Sequence, residues 1–513
     1  MPNRYDFGHV HLSAGEDNPV ARPTSETAFC IAILGDFSGR AHRGLADPKT
    51  IGQRRAYLVD RDNFDEVLSS LKVELHLPAQ EQAPIVFHFS ELDDFHPDRL
   101  FEHDVFRRLR QLRDRLQDPS SFPQVAKELG LIKSEMAGMG PPAASSTPVA
   151  APSATRLASG SLLDEMVEQT ESRISEDRYT RKPDEVREFA RQVAAKYSVS
   201  APDPRGPELI ARVDRAIEDA MTALLHHPDF QALEAIWRAT YLLVRQLETG
   251  ARLKLCLFDI SQQELATDLS ASSNWRDTGI FRLLVEKSVR TPGADPWAVI
   301  VGSYRFGAAA ADMAALSGIL KIAHEAGAPF LAEASPSWLG CSSLQTAAHP
   351  RDWHDSEQTH RLAELRRQPE ADSAGLACPR FMLRLPYGEK TSPLESFDFE
   401  EFRRGPEHEG YLWGNPAFAA ALLLGQSFRE AGWDMRPGAV SQLDNLPLHL
   451  YSTNGQSESK PCAEVLLTDD AVEGILDRGL IPLVSYKGRD SVRLMRFQSI
   501  AEPQRPLAGR WHG

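Results

Sequence analysis

The sequence predicts an α/β protein in which mixed, largely parallel sheets are flanked by helices, in two folded units joined by a disordered linker. Two observations support this prediction. Apolar segments such as WAVIVG at 297–302 run without polar interruption and alternate with helical patterns, as is typical of parallel strands covered on both faces. Residues 136–160 are dominated by Ala, Pro, Ser, Gly and Thr, a composition that cannot form a core. We therefore place one unit at 1–135, the linker at 136–160 and the second unit at 161–513.

The N-terminal unit is predicted to contain three strands and two helices. The strands are FCIAILGD at 29–36, VELHL at 73–77 and PIVFHF at 84–89, which are either continuously apolar or alternating. One helix covers 60–70, and a second follows Pro97, where apolar residues recur at helical spacing opposite an arginine-rich face. The small sheet has an apolar face that needs a partner layer, so we expect this unit to pack against the second one.

The second unit is predicted to begin with surface helices at 161–197 and a helical hairpin, followed by alternating strands and helices. We expect Trp237, in the second arm of the hairpin, to share one core with Trp413 of the YLWGNP loop. The predicted elements are hairpin helices at 208–225 and from about 230, strands at 253–260, 297–302, 328–334, 380–386 and 463–468, a helix at 308–326, and a closing strand pair at 481–487 and 491–499 around Gly488.

Composition and charge exclude several classes of protein. The 72 acidic and 57 basic residues give a formal net charge of -15, which would repel a nucleic acid backbone. No stretch reaches the roughly 20 consecutive apolar residues of a membrane helix, and the first ten residues show no secretory signal. The five cysteines never form a CxxC pair, which argues against a disulfide framework or a zinc ribbon. We therefore expect a cytoplasmic protein without nucleic acid partners or direct membrane insertion.

No residue pattern indicates an active site, so we expect no catalytic residues, no cofactor and no metal. His226 and His227 point to different sides of a helix, and no compact spacing supplies further metal ligands. No phosphate-binding glycine loop or GxSxG elbow is present. We interpret 35–40 as a turn in which Asp36 and Ser38 satisfy backbone donors, with an anion-binding nest as the alternative. A cytosolic α/β hydrolase whose Ser, His and Asp meet only in the fold is the alternative of another class.

Several loops rich in aromatic, proline and glycine residues stand out instead. Pro and Gly fix backbone turns and aromatic residues bury large areas, so these segments suit rigid structural junctions or subunit contacts. The residues that we assign to such junctions are His227, Pro228, Phe230, Trp237, Arg384, Pro386, Tyr387, Gly388, Trp413, Gly414, Asn415 and Pro416.

The same loops carry a family resemblance. The matching segments are 225–234 with Trp237, VGSYRF at 301–306, APF at 328–330, PRFMLRLPYG at 379–388, YLWGNP at 411–416 and GW at 432–433. They resemble the large subunit of the contractile sheath of bacterial type VI secretion systems, the TssC or VipB family. Ahead of the linker, the segments LGDFSG at 34–39, DRDNFD at 60–65 and FHPD at 95–98 resemble the small sheath subunit, TssB or VipA. The chain therefore looks like a natural fusion of the two subunits, shortened at its C-terminus.

The resemblance implies a non-enzymatic structural protomer that assembles into a helical tube around an inner tube and drives effector delivery by contraction. The implied partners are other sheath subunits, an inner tube protein, baseplate components and a ClpV-type AAA+ ATPase. The ATPase would bind a short helix just after the linker, through an apolar stripe of Leu162, Leu163, Met166 and Val167. Packing of this helix on its own unit is the alternative. Because the family's large subunit continues further, the second hypothesis is a shortened accessory protein that binds a sheath end or baseplate.

Overall fold

The computed structural model describes residues 6–7, 10–11, 23–78, 84–118, 120–122, 124–125, 206–354, 357–403, 405–453 and 455–511. The chain divides into two compact units, of which the first combines Met1–Phe106 with Ile217–Gly513 and the second is Arg107–Ala216. The predicted linker and the predicted ATPase-binding residues Leu162, Leu163, Met166 and Val167 lie outside the described residues. The predicted domain boundaries therefore stay predictions.

The described residues form seventeen strands. They are β1 Asp6–Phe7, β2 Val10–His11, β3 Phe29–Gly35, β4 Tyr57–Val59, β5 Val73–Leu77, β6 Ile85–Phe89, β7 Leu253–Asp259, β8 Trp297–Phe306, β9 Phe330–Ala334, β10 Ala374–Cys378, β11 Phe381–Met382, β12 Trp413–Gly414, β13 Gln442–Leu443, β14 His449–Thr453, β15 Gln456–Lys460, β16 Ile481–Ser485 and β17 Val492–Leu494.

The same part of the chain contains eleven α-helices, and among these helices none is long and apolar enough to cross a membrane. They are α1 Phe64–Ser70, α2 Pro97–Phe101, α3 Asp104–Gln117, α4 Gly206–Leu225, α5 Pro228–Gln246, α6 Gln262–Ser270, α7 Gly279–Phe281, which continues as a π-helix at Arg282–Val289, α8 Ala310–Ala326, α9 Glu357–Arg366, α10 Pro416–Ala431 and α11 Asp469–Asp477.

A nine-stranded sheet forms the centre of the first unit, in the order β13-β17-β16-β10-β9-β8-β3-β7-β4. Its six inner strands are parallel, whereas β13, β17 and β4 add antiparallel pairs at the edges. Alternate residues of β3 face opposite sides. Cys30 and Leu34 belong to the same hydrophobic cluster as residues of α6 and α8, while the Phe29 ring stacks on Phe428 of α10. Helices thus cover both faces, and the predicted α/β class with a largely parallel sheet is confirmed.

Strand β3 shows that the segments before and after residue 136 share this sheet. It lies between β7 and β8, with Ile33 opposite Leu257 on one side and Val301 on the other. All seven of its residues are buried. A strand with hydrogen-bonded neighbours on both sides contributes to the core of the sheet and cannot be a separate module, so the expected packing of the N-terminal segment against the later one is confirmed here.

The short β5–β6 hairpin also packs against the later part of the chain. Its strands pair antiparallel, as the alternation in the sequence predicts. The Phe89 ring stacks on Phe95 at 4.1 Å between centroids, and Phe230 of α5 packs edge-on to both rings. This aromatic group supplies the partner layer that the apolar face of the hairpin requires.

Two predicted strands are wrong. In the segment 380–386, only Phe381–Met382 pairs, with β12, because the chain then turns to bring the Arg384 side chain to two buried carboxylates. At 463–468 the backbone makes a single isolated bridge, between Phe381 and Ala463. Phe381 and Met382 of the first segment, and Ala463 and Val465 of the second, are buried in cores without extending a sheet.

Two further predictions also differ from the structure. The helix after Pro97 is interrupted between α2 and α3, where His103 accepts the Val105 N–H through Nδ1 and donates through Nε2 to the Val86 carbonyl. Trp413 packs with Met382 and Tyr411 in a small separate cluster, whereas the Trp237 ring contacts Phe37 and Phe64.

An ion pair joins α3 to α4 within the second unit. Arg113 of α3 donates through Nε to Asp214 of α4 at 2.7 Å. Arg113, on the arginine-rich face of α3, thus makes an ion pair within the protein.

Candidate functional site

Helix α5 fills the position where this type of sheet ordinarily binds a ligand. In open α/β sheets, ligands bind at the carboxyl ends of the strands where the strand order reverses. The chain here passes from β3 to β7 on one side and then to β8 on the other, so the position lies at the ends of β3 and β8. A Cβ added to Gly35 would meet Ile236 Cδ1 at 2.3 Å, and Trp237 donates through Nε1 to the Phe37 carbonyl at 2.9 Å. The close approach of α5 is the reason that residue 35 is a glycine.

Carboxylates of the protein itself accept hydrogen bonds from the backbone N–H groups of the turn after β3. Asp36 accepts the Arg40 backbone N–H at 2.6 Å, as predicted for this residue. Ser38 differs from the prediction, because its hydroxyl donates to Asp259 Oδ2 at 2.7 Å. Asp259 Oδ1 also accepts the backbone N–H groups of Phe37 and Ser38, and burial raises the pKa of Asp259. Two donors that an anion-binding nest would use are therefore occupied.

A second carboxylate links the segments that flank residue 136. Glu264, at the start of α6, accepts from Arg40 Nε at 3.2 Å and from Arg54 Nη2 at 2.5 Å. Burial acts to raise its pKa, but backbone hydrogen bonds from Ser261 and Asp47, together with Arg54, lower the pKa on balance. These contacts attach the N-terminal segment to the start of α6, the helix that follows β7.

A buried charge junction lies beside α5. Arg384 donates through Nε to Glu234 at 3.0 Å, and through both terminal nitrogens to Glu401 at 2.8 and 3.2 Å. The two carboxylate side chains are fully buried and that of Arg384 is 8% exposed. Such a bidentate pair fixes the planes of both groups. The junction thus joins the middle of α5 to two points of the 384–401 loop.

Three further side chains complete this charge junction. Arg238 donates to Glu234 at 2.6 Å and to the Tyr387 hydroxyl at 3.2 Å, and His226 contacts Glu401 at 3.2 Å. Burial alone would raise the pKa of Glu401, but Arg384 and the hydrogen bonds from His226 and the Tyr387 N–H lower it to about 2. Burial raises the pKa of Tyr387 to about 12. The junction therefore holds Glu401 in its ionised form against the buried guanidinium of Arg384.

The predicted junction residues at the hairpin turn have identifiable structural positions. His227 is the N-cap of α5 and accepts the Asp229 N–H, and Pro228 occupies the first turn. Phe230 and Trp237 are fully buried. Pro386 accepts a hydrogen bond from Thr391 Oγ1 at 2.6 Å, and a Cβ on Gly388 would meet Glu400 Oε2 at 2.5 Å.

The YLWGNP loop leads into α10. Trp413 donates through Nε1 to the His408 carbonyl at 2.9 Å, and a Cβ on Gly414 would meet Leu383 Cγ at 2.8 Å. Asn415 caps α10 by accepting the Ala417 N–H, and it donates to the Tyr304 carbonyl at the end of β8. Pro416 begins the helix. The loop is thus tied to the carboxyl end of the sheet.

Sequence reasoning missed the carboxylates that organise these contacts. Glu234 lies within the quoted motif, and its place between Leu233 and Trp237 on the buried face of α5 was an available signal, since a charge on an apolar face needs a partner. Glu264 stands in ordinary polar surroundings in the sequence, whereas Asp259 ends an apolar run and Glu401 lies among phenylalanines, signals that were not used. Their importance appears only when distant segments meet.

One grouping of Ser, His and Asp bears on the hydrolase alternative. His324 Nδ1 lies 3.3 Å from Ser373 Oγ and 3.9 Å from Asp372 Oδ1. In a catalytic triad the carboxylate holds the other ring nitrogen, whereas here both neighbours face Nδ1. This grouping therefore lacks the geometry of a triad. In the described part of the chain, no cluster of three or more His, Cys, Asp or Glu residues is arranged to hold a metal ion.

Comparison with known proteins identifies the class. Residues 207–501 match the VipB family, described as EvpB/VC_A0108, tail sheath N-terminal domain. Residues 13–124 match the family described as Type VI secretion system, VipA, VC_A0107 or Hcp2. The chain is thus a tail sheath protein. It belongs to the VipB tail sheath family of type VI secretion systems and carries a VipA-family segment in the same polypeptide.

A curated relative agrees with this assignment. The type VI secretion system sheath protein TssC1 of Pseudomonas aeruginosa is 33% identical over 304 residues. The match covers 58% of this chain and 61% of TssC1, so the chain spans about three fifths of that relative's length. The resemblance to both sheath subunits and their fusion in one chain are confirmed.

Proposed function

We propose that this protein is a structural protomer of a type VI secretion sheath, which assembles in the cytoplasm into a helical tube around an inner tube. Contraction of this tube would drive effector delivery. The observation that supports this proposal most directly is the shared sheet, in which a strand of the VipA-family segment lies between two strands of the VipB-family segment. One chain therefore supplies strands from both family segments to one sheet.

The usual ligand position, at the ends of β3 and β8, is filled by α5, and this supports a mechanical role over an enzymatic one. Ile236 and Trp237 occupy the usual ligand position, and the Arg384 junction ties α5 to the loops beside it. A protomer that transmits force benefits from such rigid connections, because interfaces can then switch while each subunit keeps its shape. We propose that the aromatic and charged junctions serve this purpose.

The proposed partners follow from the same role. They are further sheath protomers, an inner tube protein, baseplate components and a ClpV-type AAA+ ATPase. A heterologous, non-closing contact between copies would generate the helical tube.

Electron microscopy of the purified full-length protein tests the assembly. We expect tubes when the protein is imaged alone or with an inner tube protein, and size-exclusion chromatography of the same sample provides a control for folding. Discrete particles in both conditions, from protein that elutes as a folded species, would contradict the proposal.

The ATPase contact needs its own test. A peptide of residues 158–176 should bind the N-terminal domain of the ATPase with micromolar affinity, which corresponds to about -8 kcal/mol. Leu163→Asp in the same peptide should abolish binding, because it places a charge on the apolar stripe. If the unmodified peptide shows no binding at millimolar concentration, this partner is wrong.

A further inference from the structure

A pocket of about 360 Å³ lies beside the ligand position that α5 fills, at the carboxyl ends of β8 and β9. Its floor is formed by Ala235, Ala239 and Ile236 of α5, and Tyr411 and Trp413 form part of its wall. Small side chains on α5 leave space that a larger residue would fill. The pocket can therefore accept an aliphatic stem several carbons long.

The polar end of the pocket contains a buried carboxylate, Glu333, together with Arg305 and Arg380. Glu333, on β9, has a residue exposure of 7%. Its ion-pair partner is Arg305 Nε at 3.1 Å, and the Arg305 side chain is 45% exposed. The nearby Arg380 is already held by two hydrogen bonds to Glu464, at 2.6 and 3.1 Å. Of the two arginines that line the pocket with Glu333, one is therefore half-exposed and the other is engaged by Glu464.

The electrostatics of Glu333 agree with this geometry. Burial raises the pKa of Glu333 to about 7, even though Arg305 and Arg380 both act to lower it. Glu464 raises the pKa further. Other titratable groups lie nearby, namely the Cys378 thiol on β10 and, in the pocket lining, Glu409, Tyr304 and Tyr411. A second cation in the cavity would stabilise the ionised form of Glu333.

We propose that this pocket binds an arginine side chain of a neighbouring sheath protomer, with Glu333 as its counter-charge. The apolar floor takes the methylene stem, and the guanidinium lies against the Glu333 carboxylate, where its planar fork suits two oxygens. The identity of the neighbour rests on the proposed sheath function. The affinity of the pocket for a guanidinium does not depend on that function, because it is measured on protein that has not assembled.

The proposal predicts linked proton release. Near pH 7 about half of the Glu333 carboxyls are protonated, so binding of a guanidinium should release about half a proton per site. The affinity should rise about tenfold between pH 6 and pH 8, because the ionised fraction rises by that factor.

Calorimetric titration with N-acetyl-arginine amide tests these expectations, in two buffers of different ionisation enthalpy. The full-length protein is titrated at a concentration at which size-exclusion chromatography shows a monomer, so that no neighbouring protomer occupies the pocket. N-acetyl-citrulline amide is the matched neutral probe and should bind at least tenfold more weakly. Glu333→Gln should remove the proton release and the pH dependence, and Ala235→Leu should block the pocket while leaving Glu333 in place. Glu458→Gln, on the exposed strand β15, is the control.

Equal binding of the two probes, or binding to Glu333→Gln with unchanged pH dependence, would overturn the proposal. These results are independent of tube formation. A protein that forms tubes but fails the titration refutes the pocket alone, and one that passes the titration but forms no tubes refutes the sheath role alone.

Discussion

Removal of the Arg384 guanidinium is the sharpest test of the charge junction. Arg384→Met keeps much of the side-chain volume but leaves the Glu234 and Glu401 carboxylates, both fully buried, without their shared partner. Breaking a buried ion pair from one side costs about 3–5 kcal/mol. Because Arg384 makes three hydrogen bonds to the two carboxylates, we expect a loss near 5 kcal/mol in the free energy of unfolding of the first unit.

The expected change is measurable by differential scanning calorimetry. The first unit contains roughly 400 residues, and an unfolding entropy of about 2.1 cal/mol/K per residue converts 5 kcal/mol into a Tm decrease of about 6 °C. Glu401→Gln should also lower the Tm. The double variant should lose less than the sum of the single losses, with a coupling of about 1–3 kcal/mol. Glu407→Gln, at an exposed position that follows the 384–401 loop, is the matched control and should leave the Tm unchanged.

The acid limb of the stability profile provides an independent check. The pKa of Glu401 is about 2 in the folded protein and its ordinary value is 4.5. Ionised Glu401 therefore contributes about 3 kcal/mol at pH values above 4.5, and this contribution is lost as the pH falls through 2. Arg384→Met should flatten this part of the profile. A Tm within 1 °C of the parent protein for Arg384→Met, or additive losses in the double variant, would refute the coupling derived from the structure.

Three further outcomes are expected. Gly35→Ala should destabilise the first unit by about 1–3 kcal/mol. Ile236→Val, added to that variant, deletes the contacting Cδ1 atom and should restore part of the Tm. A Tm unaffected by Gly35→Ala would show that α5 does not contact β3 closely at this residue. Trp237→Phe keeps an aromatic ring but loses the hydrogen bond to Phe37, so the denaturation midpoint should fall by an amount equivalent to about 1–2 kcal/mol, and no change would mean that this bond contributes nothing. Because the pKa of Glu333 is raised from 4.5 to about 7, the free energy of unfolding should fall by about 3 kcal/mol as the pH rises from 4.5 to 7. Glu333→Gln should remove that pH dependence. Parallel profiles of stability against pH for the parent protein and the variant would exclude an elevated pKa.

The local elements of this protein were predictable where one physical signal dominated. The continuous apolar run at 29–35 and the alternation at 73–77 gave β3 and β5 with nearly their observed bounds, because burial on two faces or one dictates the residue pattern directly. The helical hairpin followed from its apolar periodicity and from Pro228, which begins α5. Such signals are local, so they survive without knowledge of the fold.

Prediction from the sequence failed where a segment with the composition of a strand also carries a charged side chain that pairs with buried partners. The segment 380–386 has the composition of a strand, yet Arg384 leaves the strand path to meet Glu234 and Glu401. Glu333 lies in an apolar run, and its neighbourhood of Arg305 and Arg380 is assembled from separate strands and loops. Pairings over such distances in sequence depend on strand order, which composition does not encode.

The sequence by its own patterns determined the α/β class, the apolar strands and the sheath resemblance, because these depend on periodicity and on contiguous motifs. The tertiary structure decided that β3 lies between β7 and β8, that α5 closes the ligand position over Gly35, and that buried carboxylates meet arginines from remote loops. The physical reason is that hydrogen bonding between strands and compensation of buried charge are satisfied between residues far apart in the chain. Their partners are therefore established only when the whole unit folds.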